Sequence, residues 1–249
     1  MLTNRLIFTF CQTSRNCSLR KFIFLYALLL ATALPATYAQ ESWESPVFPD
    51  SLYARYNWAF FSLMIDEVHD TLDWYHPDIG LLNAALFYAT DRVRVKRGLA
   101  PLVFSASLRG MALFHAYEML KHKFVGHDNP YNQTFANIER RSNFFEANAQ
   151  SENVASTFLI AYKDNTRFYR IKNEDYYDFF SIDDQPIRRH TYWSFATSIV
   201  HNFLHSAPHK KNMLDHRHRR LGCGVAIESP YLAGSIPMGF GVQNFGGSE

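Results

Sequence analysis

Residues 105–127 read SASLRGMALFHAYEMLKHKFVGH. Within them Leu108, Met111, Ala112, His115, Ala116 and Met119 recur at intervals of three and four, which places all six on one face of a helix. Ser105 stands where an N-cap belongs, its hydroxyl able to accept a free N–H of the first turn, and the helix is expected to end near Gly126. A face this apolar has to be buried, and the C-terminal part of the chain supplies a surface for it. RLGCGVAIES (220–229) and SIPMGFGVQNF (235–245) read as two strands joined by a turn at Ser229-Pro230.

Working upstream, Leu82, Ala85, Leu86, Ala89 and Val93 mark an earlier helix from Leu81 to Gly98, followed by the turn Gly98-Leu99-Ala100-Pro101-Leu102. Residues 40–81 form an aromatic N-terminal extension, irregular at first and amphipathic through Tyr53–Trp74. Downstream, 128–150 is polar and Asn-rich, a loop with a short helix, and Thr157–Tyr162 is strand-like. A third helix is expected over Tyr192–Leu204. A fourth begins at Ser206-Ala207-Pro208, with Ser as cap and Pro in the first turn. The order helix, helix, strand, helix, strand, strand gives an α+β domain whose antiparallel sheet is covered by helices. The stretch 163–190 alternates aromatic and charged residues and is an insertion, either a flap resting on the sheet or a partner-binding surface.

The 249 residues carry 25 Lys+Arg and 23 Asp+Glu, but the first 39 hold four basic residues and no acid. The remainder therefore has 21 basic and 23 acidic side chains, a net of 21 − 23 = −2, which argues against a nucleic-acid partner. Arg20-Lys21, then FIFLYALLLATALPA, then Thr37-Tyr38-Ala39 reads as a basic segment, a short apolar run and a small-residue cleavage site. The expectation is a signal peptide over 1–39 and a secreted or periplasmic protein with no membrane span after cleavage; an uncleaved leader acting as an anchor is the alternative. Cleavage removes Cys11 and Cys17 and leaves Cys223 alone, so no intramolecular disulfide can form.

All eleven histidines follow the leader. His201, His205 and His209 are spaced i, i+4, i+8 and would make a ligand stripe on a continuous helix, but Pro208 disfavours helical geometry at Ala207 and should break it. The other reading of His201 and His205 is as helix-surface residues. His216 and His218, in DHRHRR, read as a solvated turn, and His115 as a core histidine. His127, just beyond a helix end, Glu152 in SENVA and His209 at the start of a short helix could come together to bind zinc or to run acid–base chemistry.

These segments together resemble the CAP superfamily, the domain of cysteine-rich secretory proteins, antigen 5 and plant pathogenesis-related proteins, in its bacterial disulfide-free branch. DRVRVKRGLAPL is similar to the family's first helix and Gly-Leu-x-Pro-Leu turn, with Asp91 where Asn is usual and Arg94 in register. LRGMALFHAYEMLKHKFVGH resembles the second helix and ends on the first signature histidine, His127. SENVAS is similar to Gly-Glu-Asn-Ile-Ala, with Glu152 on the signature glutamate. FLHSAPHKKNML is similar to Trp-x-x-Ser-Pro-Gly-His-x-x-Asn, with Phe203 for Trp and His209 on the second histidine.

The resemblance covers about residues 82–246 and implies a three-layer α/β/α sandwich with a central, mainly antiparallel sheet. It also implies a cleft lined by His127, Glu152 and His209, with Ser206, His205 and Asn153 as supporting residues. The second glutamate of many eukaryotic members falls on Ser206, which leaves any metal site one carboxylate poorer. No cofactor is therefore expected to be required, with zinc or another divalent cation as an optional, weakly held guest. The expected function is a non-enzymatic exported module binding a hydrophobic small molecule or cell-envelope component. The alternatives are a metal-dependent hydrolase using His127, Glu152 and His209, and an interaction module acting through the aromatic insertion.

Overall fold

The computed structural model describes residues 45–162, 166–173, 177–228 and 236–248. The expected leader, its expected cleavage site and the expected turn at 229–230 lie outside the described residues. The helices are α1 (Trp58–Met64), α2 (Ile79–Val95), α3 (Ala106–His122), α4 (Ile138–Phe144), α5 (Tyr192–His205) and α6 (Ala207–Leu214). The strands are β1 (Val103–Phe104), β2 (Ala149–Phe158), β3 (Phe168–Lys172), β4 (Tyr177–Ser181), β5 (Pro186–Ile187), β6 (Arg220–Ile227) and β7 (Met238–Gly246).

The central sheet has the order β1-β6-β7-β2; β1 runs parallel to β6 and the other pairings are antiparallel. Side chains alternate across it. Val154, Phe240 and Val242 pack with Ala112, Ala116 and Met119 of α3. Leu221, Cys223, Val225 and Phe245 join the core built with α2 and α5. The result is the α/β/α sandwich: α3 on one face, α2 and α5 on the other. On β6, a methyl group at Gly222 would overlap the backbone of Leu108 and Arg109, and one at Gly224 the backbone of Ala112 and Leu113. Both positions must be glycine for the α3 backbone to lie directly on the strand.

The extension is tied to this core. Ser45 donates to Asp78 (2.6 Å), whose other carboxylate oxygen caps α2 by accepting from Leu81 N–H (2.8 Å). Phe48 meets Tyr53, Phe61 and Tyr88 edge-on, with centroids 4.9–5.8 Å apart. The insertion contains a second antiparallel sheet, β3-β4-β5, whose buried Phe179 faces Trp74.

Several local expectations change. The second helix stops at His122, four residues before Gly126, because Lys123 adopts a left-handed conformation (φ 55°). The strand expected over Thr157–Tyr162 spans Ala149–Phe158, since its first half carries polar side chains with buried partners and lacks the apolar alternation that marks a strand. Tyr53–Trp74 forms one short helix, Trp58–Met64, followed by a 3-10 turn at Asp66–His69. Ser206 does occupy the N-cap of α6 but its side chain makes no capping bond; Pro208, at the second helical position, has removed one of the N–H groups it would accept from.

Candidate functional site

β2 is an edge strand, and the side chains around its SENVA segment build the site. Glu152 pairs with Asn244 across the sheet on the α3 face, while Asn153 pairs with Gln243 on the opposite face. The Glu152 carboxylate is 1% exposed. It is held by Arg141 of α4, whose Nη2 lies 2.9 Å from Oε1 and 3.0 Å from Oε2, and by His127, whose Nδ1 is 3.1 Å from Oε1. The Asn244 amide, oriented so that both of its ends are satisfied, donates to Oε2 (3.1 Å) and accepts from Ala112 N–H (3.1 Å). Arg141 is itself fully buried and also donates to the carbonyls of His127 (2.9 Å) and Phe135 (3.1 Å), so it fixes the loop that carries His127.

Burial is the largest influence on Glu152 and pushes its pKa up. The His127 hydrogen bond and the charges of Arg141 and His115 outweigh it, and the group lies below the ordinary carboxylate value. The bond to Glu152 raises His127, whose side chain is 52% exposed. His115, buried beneath, is lowered by desolvation; its Nε2 meets Gly126 O (2.8 Å) and its Nδ1 has no hydrogen-bond partner among the described residues.

His209 arrives from the other face of the sheet. Asn153 Nδ2 donates to His209 O (3.1 Å) and to Gln243 Oε1 (2.9 Å), and Asn212 Nδ2 donates to Asn153 Oδ1 (3.0 Å) and Glu152 O (3.2 Å). These bonds pin α6 to β2, and the His209 ring stands 6.1 Å from that of His127, centroid to centroid. Partial burial and then the nearby His127 charge lower its pKa. His127, Glu152 and His209 thus share one edge of the sheet, with Asn153 positioning α6. Among the described residues, the side chains of His205 and Ser206 bond to none of the three; His205 Nδ1 is engaged by His201 O (2.8 Å).

Asp91 and Arg94 hold the scaffold. Asp91 accepts from Leu102 N–H (3.0 Å), and Arg94 donates to the carbonyls of Ala100, Met213 and Asp215. His218 is not in a solvated turn as its charged neighbours suggest: it is buried, stacked on Phe245 and bonded to Ser151 Oγ (2.9 Å). That pair borders a polar cavity of about 650 Å³ lined also by Asn212, Lys211 and Arg217.

Arg141 is the site residue that sequence reading missed. It lies in a polar, Asn-rich stretch without periodicity, and only a search for the cation that neutralises Glu152 could have pointed to it. Its presence bears on the metal question. A zinc ligand needs an oxygen lone pair facing the ion, and those of Glu152 face Arg141, His127 and Asn244. Among the described residues no group of three or more His, Cys, Asp or Glu is arranged to hold a metal ion. The three residues do not fit a His₂Glu metal centre.

The α/β/α sandwich carries a buried glutamate on its edge strand, between His127 in a loop and His209 in the first turn of α6. The chain belongs to the Cysteine-rich secretory protein (CAP) family, whose model matches residues 87–245. Among solved structures it is similar to an extracellular SCP-domain protein from Bacillus anthracis (16% identity, TM-score 0.44, covering 69% of this chain and 42% of that one). It is also similar to an outer surface protein from Borrelia burgdorferi (11%, TM-score 0.43, covering 72% and 99%). The chain thus spans less than half the length of the Bacillus anthracis protein. No curated protein matches it.

Proposed function

We propose that this protein is an exported, non-enzymatic CAP module that binds a polar cell-envelope component at the β2 edge, with His127 and His209 as the contact groups. The observation that carries the reading is the state of Glu152. A carboxylate that activates water must reach it, and this one is buried with its oxygens engaged by Arg141, His127 and Asn244. It acts as the counter-charge that fixes Arg141 and orients His127. The rim it supports is polar, which favours an envelope component over a purely hydrophobic small molecule. Among the described residues no helix is long and apolar enough to cross a membrane.

The test is binding of soluble peptidoglycan fragments, lipopolysaccharide and phosphatidylglycerol vesicles, each titrated separately into wild type and the His127→Ala/His209→Ala double variant. One of the three should bind wild type at least about tenfold (~1.4 kcal/mol) more tightly than the variant, with melting temperatures within a few degrees. Equal affinities for all three, or turnover of any of them, would overturn the reading.

A further inference from the structure

The segment His201-Asn202-Phe203-Leu204-His205 closes α5. Phe195, Ala196, Ile199, Val200 and Phe203 are buried, so this face of the helix is committed to the core, and the residues at i and i+4 on the other side, His201 and His205, are both exposed. Side chains four apart on a helix lie one above the other. Here the two imidazole rings lie 4.1 Å apart, centroid to centroid, and are inclined by 38°.

The tautomer of one of them is fixed. His205 Nδ1 lies 2.8 Å from His201 O, and a carbonyl oxygen can only accept, so Nδ1 carries a proton and, in the neutral ring, Nε2 keeps its lone pair. That lone pair has no partner among the described residues. A ring N–H held by a backbone carbonyl, with the second nitrogen free, is how metal-binding histidines are oriented. The His201 side chain is engaged by no hydrogen bond among the described residues, so it too can turn a nitrogen outward. Two nitrogens bound to one ion at about 2.0–2.1 Å stand roughly 3 Å apart, a spacing these rings reach by small rotations. His205 sits in the last turn of a 14-residue helix and His201 one turn before it, near the negative end of the macrodipole, which favours a cation.

We infer that His201 and His205 form a surface dihistidine site for a late first-row divalent cation, with water completing the coordination. The site is bidentate because the chain turns at Ser206: His209, third in the i, i+4, i+8 series, begins a separate helix and packs its ring against Phe203 (5.3 Å) and towards His127. Imidazole donors suit Cu²⁺, Ni²⁺ and Zn²⁺, and affinity should follow Cu²⁺ above Ni²⁺ and Zn²⁺. This site is independent of the envelope-binding reading: among the described residues no hydrogen bond or ring contact joins either histidine to His127, Glu152 or His209.

The experiment is titration of the exported protein, without any affinity tag, with CuCl₂, followed by calorimetry and by the nitrogen hyperfine pattern of the Cu²⁺ spin-resonance spectrum. Wild type and the His127→Ala/His209→Ala variant should each bind one equivalent through two imidazole nitrogens. The His201→Gln/His205→Gln variant, whose exposed changes leave the core intact, should lose that equivalent, and either single variant should weaken it by at least about tenfold. No Cu²⁺ bound by wild type, or an equivalent that persists in His201→Gln/His205→Gln, would overturn the assignment.

Discussion

Replacing Arg141 by alanine tests the account of the site directly. Arg141 and Glu152 are a buried ion pair with a fully buried guanidinium and a 1% exposed carboxylate, joined through Nη2 at 2.9 and 3.0 Å. Removing one member of such a pair leaves the other charge uncompensated and costs about 3–5 kcal/mol. The carbonyls of Phe135 and His127 lose a donor as well. For a domain of this size that corresponds to a fall in melting temperature of about 6–20 °C.

The pH dependence gives a sharper reading than the magnitude. In wild type Glu152 has a depressed pKa, so its contribution is present above the unfolded value of about 4.3 and is lost as pH falls through the folded pKa. In Arg141→Ala burial gains the upper hand and raises that pKa, so stability is lost as pH rises above about 4.3. The gap between the two proteins should therefore widen from pH 4 to pH 7, measured by urea denaturation across that range. Arg141→Met/Glu152→Gln, which removes both charges, should recover much of the loss and abolish the pH-dependent gap. A penalty below about 1 kcal/mol at pH 7, or one that does not change with pH, would refute the claim that Arg141 neutralises Glu152.

Two further outcomes follow from the fold and the leader. Gly224→Ala places a methyl group into the backbone of Ala112 and Leu113 and should destabilise by at least about 1–3 kcal/mol in the same denaturation assay, whereas an unchanged midpoint would mean that α3 does not lie directly on β6. N-terminal sequencing of exported protein should begin at Gln40; Met1 retained in a membrane fraction would establish the anchored alternative.

The sequence by itself determined the elements whose periodicity is strong. The apolar faces of α2 and α3 and the apolar, glycine-interleaved β6 and β7 are local patterns, and they require a sheet covered by helices. The Ser105 cap and the helix break ahead of His209 were legible for the same reason: capping and proline geometry act within a few residues. Only the tertiary structure decided what Glu152 does. The sequence shows a glutamate beside an asparagine, equally consistent with a base, a ligand or a counter-charge. The answer depends on Arg141, eleven positions away in a short helix with no apolar periodicity, and on Asn244, across a strand pairing. His218 makes the same point. Its charged neighbours suggest solvent, yet packing on Phe245 buries it. Periodicity records which side of an element faces the core, but the charge state and role of a buried polar group are set by what the fold brings against it from distant parts of the chain, where no local pattern reaches.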